Sequence, residues 1–369
     1  MLECCECYLP VDFVKRFRKY LSSNEFKDIS TYSKSEYWEH QSDIIDIQIS
    51  DNKITMRGKS GFYFPQKKNV KKDIKKYVNN RITKLIKEPF SLIPFIKRKI
   101  GIQDSAIGRL DFYSAFDKVM NHDLITDPTF SVNRVNYKKL GGIPGVIASI
   151  DDMEKEFFAK DKYEMGPYIV KAYYYYCIMY GYIDFTQIKS ILEIGGGNGN
   201  LSSLLYSSIG NCTIVSVDLP ETLCFSIVFV ADMFPDAKIL LPNEEKLYDL
   251  DHYDFVFLTT EQTHLVKDNS IDLAINIDSF QEMTHKQIEI YFQLIQRCCS
   301  NNSYFFTSNR VEKIPCRPGS YQNETTESLN RFSDYPWNPA NDTLIYEINK
   351  LVRLVQLDNT YIRLEQIKK

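Results

Sequence analysis

Two groups of residues in this sequence have types and spacings that could do chemistry. The first is a glycine-rich stretch from Ile191 to Asn200, which holds glycines at 195, 196, 197 and 199. Glycine lacks a Cβ, so such a loop can turn sharply and let a ligand approach its backbone. The second is a polar segment from Asp278 to His285, whose carboxylate and imidazole side chains could hold or move a proton. The sequence thus offers a binding loop and a set of candidate bases.

The glycine stretch lies between a predicted strand and a predicted helix. Ile191 to Ile194 is a short apolar run typical of a buried strand, and Leu201 to Tyr206 begins a helix. A strand, a glycine turn and a helix N-terminus form a nucleotide-sized cradle. A second apolar strand, Thr213 to Val217, ends in Asp218. Doubly wound sheets place an acidic residue there to accept hydrogen bonds from ribose hydroxyls, so an adenosine-type pocket is predicted.

The remaining elements of a parallel sheet follow in order. A helix is expected from Pro220 to about Phe234. The third strand is either Lys238 to Leu241 or Asp254 to Leu258, and the later one is favoured because its distance to the next strand fits better. That choice would put Thr259, Thr260 or Glu261 near the base of a bound nucleoside. A fourth strand, a helix and a fifth strand are predicted at 272–279, 284–299 and 303–308.

The chain divides into two predicted regions. Residues 1–140 form an accessory region of α+β or helical character, with a helix from Val11 to Leu21 and a hairpin from Ile44 to Met56. A basic stretch at 69–87 is either a solvated helix face or a rim that attracts an acidic substrate. Residues 141–369 carry the sheet, and a proline-rich segment at about 311–342 is expected to cross the active-site face.

A helix just before the glycine loop carries four consecutive tyrosines, Tyr173 to Tyr176. Consecutive residues point to all sides of a helix, so this helix should be packed between two layers. One of its hydroxyls could also face the ligand of the loop. Residues 343–369 could supply the final strands.

Composition limits the classes of function. The chain has 369 residues, 44% of them hydrophobic and 25% charged, as in an ordinary globular protein. A net charge of −3 gives no reason to expect nucleic acid as a partner. No apolar run is long enough to span a membrane, and the N-terminus lacks the pattern of a signal peptide, so a cytoplasmic location is expected. Nine cysteines suit a reducing compartment, and Cys4, Cys5 and Cys7 lack a second ligand pair at zinc spacing, so no metal is predicted.

The spacing E-x-G-x-G-x-G, from Glu193 to Gly199, differs from the dinucleotide fingerprint G-x-G-x-x-G. It resembles the first motif of the class I S-adenosylmethionine (SAM) methyltransferases, which have a Rossmann-like α/β sheet. With Asp218-Leu-Pro-Glu-Thr222, Asp278-Ser-Phe-Gln-Glu-Met283, Tyr291-Phe292 and Ser308-Asn-Arg310, the chain from about residue 140 resembles the bacterial sugar O-methyltransferase family. Asn198 departs from the aromatic residue that many members have.

This resemblance implies SAM as the methyl donor and a sugar hydroxyl as the acceptor. Members of the family tend to occur with capsule and lipopolysaccharide biosynthesis, so the expected substrate is a sugar nucleotide or a glycan precursor. A homo-oligomer is compatible with the sequence. An NAD-dependent sugar-nucleotide oxidoreductase, or a non-catalytic methyltransferase-like partner in a glycan-biosynthesis complex, are the alternatives.

The expected site follows from these motifs. Cofactor-binding residues are expected in the loop and at the ends of the strands beside it: Glu193, Gly195, Gly196, Gly197, Gly199, Asp218, Leu219, Thr260 and Asn276. An alcohol is a weak nucleophile, so a base is expected, and the catalytic candidates are Asp278, Glu282 and His285, with His264 as a further possibility. Asp278 could equally cap the following helix, and His285 could be an ordinary surface residue.

Overall fold

The computed structural model describes residues 3–27, 46–58, 167–244, 252–312, 330–349 and 359–369. The predicted basic stretch at 69–87, the boundary between the two predicted regions near residue 140, and residues 313–329 of the proline-rich segment lie outside the described residues.

The sheet domain contains eight described strands and four described helices. The strands are β4 (Ser190–Ile194), β5 (Thr213–Asp218), β6 (Ile239–Leu240), β7 (Phe255–Thr259), β8 (Ile271–Ile277), β9 (Cys299–Arg310), β10 (Asp342–Ile348) and β11 (Thr360–Gln366). The helices are α3 (Pro167–Tyr180), α4 (Asn200–Ile209), α5 (Pro220–Met233) and α6 (His285–Cys298). The N-terminal part of the chain contributes five more elements. Its strands are β1 (Glu3–Tyr8), β2 (Asp46–Ile49) and β3 (Lys53–Gly58), and its helices are α1 (Val11–Leu21) and the single-turn α2 (Asn24–Lys27).

The large sheet has the order β10-β11-β9-β8-β4-β5-β7-β6. The strands from β9 to β6 run parallel, while β11 is antiparallel to both β9 and β10. From β4 the chain continues to β5 and β7 on one side, while β8 and β9 lie on the other side. This reversal of the strand order between β4 and β8 creates a crevice at the carboxyl ends of these strands. This arrangement confirms the predicted Rossmann-like α/β sheet. The later candidate for the third strand is also confirmed, since β7 pairs with β5 and leaves β6 at the edge.

The strands are apolar on both faces because helices or loops cover both. Neighbouring residues such as Ile191 and Leu192 belong to two different core clusters, one on each side of the sheet. The first layer contains α3, α4 and α5, and the second contains α6 with an aromatic segment at 332–337. Both layers end near the carboxyl edge of the sheet, where the glycine loop begins.

Helix α3 confirms the prediction of a helix packed on all sides. Tyr173, Tyr174, Tyr175 and Tyr176 are all buried. The Tyr175 ring lies 5.8 Å from that of Phe306 on β9, and the Tyr176 ring stacks on Phe185 at 5.4 Å. The helix is thus held against the sheet and the segment that leads into β4.

The N-terminal residues form a small unit that packs on the sheet domain. Helix α1 has the predicted bounds, and β2 and β3 form the predicted hairpin, with β1 paired to β3. The Arg16 guanidinium donates to both carboxylate oxygens of Glu244 at 2.7 Å and to the Ile239 carbonyl at 2.6 Å. The Tyr20 hydroxyl donates to the Pro220 carbonyl at 3.2 Å. This unit therefore contacts α5 and the β6 edge.

Candidate functional site

The glycine loop between β4 and α4 depends on left-handed backbone angles. The φ angles are 72° at Gly195, 59° at Gly197 and 78° at Gly199, values that favour glycine. Gly195 also needs the absence of a side chain, because a Cβ there would lie 2.0 Å from the Ser279 Oγ. The end of β8 therefore packs directly against the loop. A Cβ at Gly197 would meet nothing within 4 Å, so the space beside this residue is open.

Asp218 links the end of β5 to the loop. One oxygen of its carboxylate accepts a hydrogen bond of 2.9 Å from the Gly197 backbone N–H. The other oxygen accepts one of 2.8 Å from the N–H of Leu219, the residue that precedes α5. The carboxylate is half-buried, beside the open space at Gly197. A carboxylate in this position can accept hydrogen bonds from the hydroxyl groups of a ligand.

Glu193 supports the loop from beneath. Its side chain is buried and accepts a hydrogen bond from the Ser202 hydroxyl on α4. A Cβ at Gly196 would lie 2.9 Å from a Glu193 carboxylate oxygen and equally close to the Ser216 Oγ. Glu193 thus supports the loop through the strand end and the first turns of α4.

Burial makes both acidic residues weaker acids than usual. Desolvation raises the pKa of Glu193 to about 7, against the hydrogen bond from Ser202, which lowers it. Desolvation also raises the pKa of Asp218 to about 7, although the hydrogen bonds from Gly197 and Leu219 favour its charged form. The negative charge of Asp218 further raises the pKa of Glu193. Near neutral pH the loop therefore has two carboxyl groups that are easily protonated.

The end of β7 adds a polar group on the side of β5 away from the glycine loop. Thr259 precedes the short 3₁₀ helix 260–265, and its backbone N–H donates a 3.0 Å hydrogen bond to the Gln262 Oε1. Asp218 and Thr259 are partners in the register of β5 and β7. The Thr260 Oγ1 is buried and has no hydrogen-bond partner among the described residues. An unsatisfied buried hydroxyl is costly, so this group favours a ligand or a water in that position.

Asn276 lies inside the sheet rather than on the surface of the crevice. Its side chain is 0% exposed. Its amide nitrogen donates to the Ile194 carbonyl at 2.9 Å, and its oxygen accepts from the Phe280 N–H and from Asn309. All of these contacts tie the end of β4 to β8 and β9. In this structure Asn276 holds the strand ends together, and its predicted contact with a cofactor stays a prediction.

A charged contact at the carboxyl edge joins Asp278 to Lys171, a residue that the sequence patterns did not single out. Lys171 is on α3 and is buried, and its ammonium group contacts the Asp278 Oδ2. Asp278 follows β8 and has a φ angle of 56°, unusual for a residue with a side chain. Lys171 is the one charged residue between Pro167 and Tyr180. A lone cation in an apolar helix was therefore a signal in the sequence.

Two neutral tyrosines also face this pair. The Tyr175 hydroxyl forms a 3.1 Å hydrogen bond with Ser308 and accepts one of 2.9 Å from Asn349. Tyr335 comes from the opposite layer, and its buried hydroxyl has no partner among the described residues. Burial, and then the charge of Asp278, raise the pKa of both tyrosines well above their usual value.

The other predicted bases are placed differently. Glu282 ends a short 3₁₀ helix and is partly exposed. His285 is the first residue of α6 and is exposed, and Thr284 caps that helix. His264 is exposed on the 3₁₀ helix after β7. The structure therefore brings Asp278 against a buried cation, while the two histidines face solvent.

Two further findings concern metals and membranes. The described ranges contain no cluster of three or more His, Cys, Asp or Glu residues that could hold a metal ion. Among the helices of these ranges, none is long and apolar enough to cross a bilayer.

Several solved structures that are similar to this chain, at low similarity, are methyltransferases. A SAM-dependent methyltransferase from Aquifex aeolicus is 12% identical, with coverage of 50% of this chain and 85% of that chain and a TM-score of 0.29. Phosphoethanolamine N-methyltransferase 1 of Haemonchus contortus, bound to phosphoethanolamine and S-adenosylhomocysteine, is 12% identical over 65% of this chain and 50% of that chain, with a TM-score of 0.36.

A third structure is a Haloferax volcanii methyltransferase in complex with the Trm112 methyltransferase activator. It is 13% identical, with coverage of 50% of this chain and 86% of that chain and a TM-score of 0.34. No protein-family model matches the chain, and no curated protein matches its sequence. The evidence for the function of the chain therefore comes from its own residues.

Proposed function

We propose that this chain is a SAM-dependent O-methyltransferase that methylates a hydroxyl of a sugar. The observation that carries the proposal is the Asp218 carboxylate held against the Gly197 backbone, beside open space in an E-x-G-x-G-x-G loop. A carboxylate at that position can accept hydrogen bonds from ribose hydroxyls. The resemblance of the motifs supports a nucleotide-activated sugar, or a precursor of a capsule or lipopolysaccharide glycan, as the acceptor.

The residues present fit SAM better than a dinucleotide. The position of the third glycine in a dinucleotide fingerprint is held here by Asn200, which is buried at the start of α4. In our proposal the loop from Gly195 to Gly199 holds the methionine part, and Asp218 holds the ribose. The unsatisfied Thr260 hydroxyl at the end of β7 is available to the adenine.

Bound SAM supplies an electrophilic methyl group, and the chain must align an acceptor oxygen with it. The end of β8 is next to the loop, since Ser279 contacts Gly195. Asp278 is therefore the candidate base closest in sequence to that contact, and its side chain is partly exposed. The acceptor hydroxyl would give its proton to this carboxylate, which makes the oxygen a better nucleophile. Glu282 and His285 follow on the same segment and stay candidates for holding the sugar.

Two assays test the proposal in sequence. Calorimetric titration with SAM, S-adenosylhomocysteine and NAD should give saturable binding for the first two and none for NAD. Isotope-labelled SAM, incubated with UDP-glucose, UDP-glucuronate, GDP-mannose and dTDP-rhamnose, should then show transfer of label to one of these sugars. No binding of SAM at millimolar concentration would end the proposal, and NAD binding would favour an oxidoreductase instead.

A further inference from the structure

Lys171 is a buried cation on an otherwise uncharged helix. Its side chain is 7% exposed, while that of Asp278, its partner, is 35% exposed. Burying an ammonium group is unfavourable unless an opposite charge compensates it. A pair needed only for packing would be served as well by two apolar side chains. The asymmetry in exposure leaves one side of the carboxylate accessible while its other side contacts the cation.

The backbone fixes where this carboxylate lies. Asp278 has a left-handed φ of 56°, and its N–H donates a 2.8 Å hydrogen bond to the Ser308 carbonyl. Left-handed angles in residues with side chains are strained and persist where the surroundings determine them. The next residue, Ser279, packs on Gly195 of the loop. The Lys171–Asp278 pair is therefore held at the edge of the sheet where the glycine loop begins.

Among the described residues, two neutral tyrosines also lie near Asp278. Tyr175 on α3 and Tyr335 from the opposite layer both have a pKa raised by burial and by the Asp278 charge, so they stay protonated. The Lys171 ammonium also lies 5.9 Å from the centre of the Tyr175 ring, within the range of a cation–π contact. Among the described residues, Lys171 is the cation in direct contact with this carboxylate.

We infer that Lys171 is a positioning residue that holds the Asp278 carboxylate with its free side oriented toward the acceptor hydroxyl. This inference rests on the proposed function. In the reaction the acceptor O–H proton moves to the free side of the Asp278 carboxylate as the new O–C bond forms. The C–S bond of the sulfonium breaks and its electron pair stays on sulfur. The proton then leaves to solvent through the exposed side of the carboxylate.

The kinetic test compares Lys171→Met, Lys171→Arg and Asp278→Asn, with Lys53→Met as a matched control that breaks the Lys53–Glu6 ion pair in the N-terminal unit. The substrates are SAM and the best acceptor among the four sugar nucleotides named above. Asp278→Asn should lower kcat by about 100-fold or more, the size of a general-base contribution. Lys171→Met should lower it by about 10-fold or more, and Lys171→Arg should recover part of the loss. Lys53→Met should match the wild type.

The pH profile separates positioning from packing. In Lys171→Met the acidic limb of the kcat/KM profile should move to higher pH, because the carboxylate has lost its neighbouring cation. Adding Lys171→Met to Asp278→Asn should cause little further loss, since the cation acts through the carboxylate. An unmoved acidic limb and an unchanged kcat in a folded Lys171→Met variant would overturn the inference.

A measurement without substrate keeps the two proposals distinguishable. Pulse acetylation followed by peptide mass spectrometry should label Lys171 slowly in the wild type and at least about tenfold faster in Asp278→Asn, with the exposed Lys189 as internal reference. Equal rates would show that the pair does not hold Lys171, whatever the substrate. If SAM binding fails while Lys171 is protected, the proposed function is wrong and the pair still stands as a structural contact.

Discussion

The Gly197 backbone N–H donates a 2.9 Å hydrogen bond to the Asp218 carboxylate, which joins the glycine loop to the end of the neighbouring strand β5. Both residues border the open space beside Gly197. An acidic side chain that organises the loop is thereby available to a ligand at the same point. The predictions that follow depend on this contact or on the charged pair at the end of β8.

Asp218→Asn should weaken SAM binding by roughly 10- to 100-fold, because charge-assisted hydrogen bonds to the ribose would be replaced by weaker neutral ones. The measurement is calorimetric titration with S-adenosylhomocysteine, which avoids turnover. Asp268→Asn is the matched control, since Asp268 is an exposed carboxylate paired with Arg297. Equal affinities for the wild type and Asp218→Asn would show that this carboxylate does not hold the ligand.

Binding should also depend on pH through Asp218. Its pKa is raised to about 7 by burial, and ribose hydroxyls need its charged form as acceptor. We expect affinity for S-adenosylhomocysteine to rise by about tenfold between pH 6 and pH 8, as the carboxyl group loses its proton. The same titration in Asp218→Asn supplies the reference and should lack this rise. A rise of equal size in both proteins would assign the effect to another group.

Glu193 should make the ligand-free protein less stable as pH rises. Burial raises its pKa from 4.5 to about 7, so the folded chain keeps a proton that the unfolded chain has already lost. Its contribution to the free energy of unfolding is present below about pH 4.5 and is lost as pH approaches 7. Glu193→Gln should therefore lose less stability than the wild type between pH 5 and pH 8, by at most about 3 kcal/mol.

Urea denaturation at several pH values measures this difference. Gln keeps an oxygen that can accept from Ser202, so the comparison isolates the ionisation. Parallel stability curves for the two proteins over this pH range would contradict the assignment.

Three glycines with positive φ angles should respond differently to substitution by alanine. Gly195→Ala combines a φ of 72° with a Cβ 2.0 Å from the Ser279 Oγ, so it should cost roughly 2–5 kcal/mol of stability. Gly197→Ala and Gly210→Ala have open space, and Gly197→Ala should cost only about 1–2 kcal/mol. Gly197→Ala should in addition abolish SAM binding, while Gly210→Ala, at the end of α4, should leave it unchanged.

Thermal unfolding and calorimetry on the same preparations check these expectations. If Gly197→Ala binds SAM as well as Gly210→Ala does, the open space beside Gly197 is not the binding site.

Separate substitutions of Asp278, Glu282 and His285 rank the candidate bases. Asp278→Asn should reduce kcat at least about tenfold more than His285→Gln, because Asp278 contacts a buried cation in this structure while His285 is exposed. Initial rates at saturating SAM provide the comparison. A larger loss in His285→Gln would return the role of base to the histidine.

The sheet was predictable because its strands are short apolar runs between turn or helix signals. The bounds of β4 and β5 follow from that pattern to within one residue. The bounds of α1 follow from the helical spacing of its apolar residues. Of the two candidates for the third strand, spacing along the chain favoured the later one, and pairing shows that Phe255–Thr259 borders β5 while Ile239–Leu240 lies at the edge. The docking of the N-terminal unit on α5 depends on contacts such as Arg16 with Glu244, which no local pattern contains.

The candidate site was predictable where function follows from backbone geometry. Glycine spacing and the position of an acid after the next strand locate Gly197 and Asp218. Side-chain partners distant in sequence were not predictable: Lys171 and Asp278 are 107 residues apart, and α3 brings them together. The bonds of Asn276 to the neighbouring strands were likewise not predictable from its position at a strand end, and its expected contact with a cofactor stays a prediction.

A crystal structure of the chain with S-adenosylhomocysteine tests the central claim most directly. The ribose hydroxyls should bind the Asp218 carboxylate, and ligand atoms should occupy the open space beside Gly197. The thioether sulfur should lie on the side of the loop that faces Asp278. A ligand bound elsewhere, with neither Asp218 nor the glycine loop in contact with it, would contradict the account.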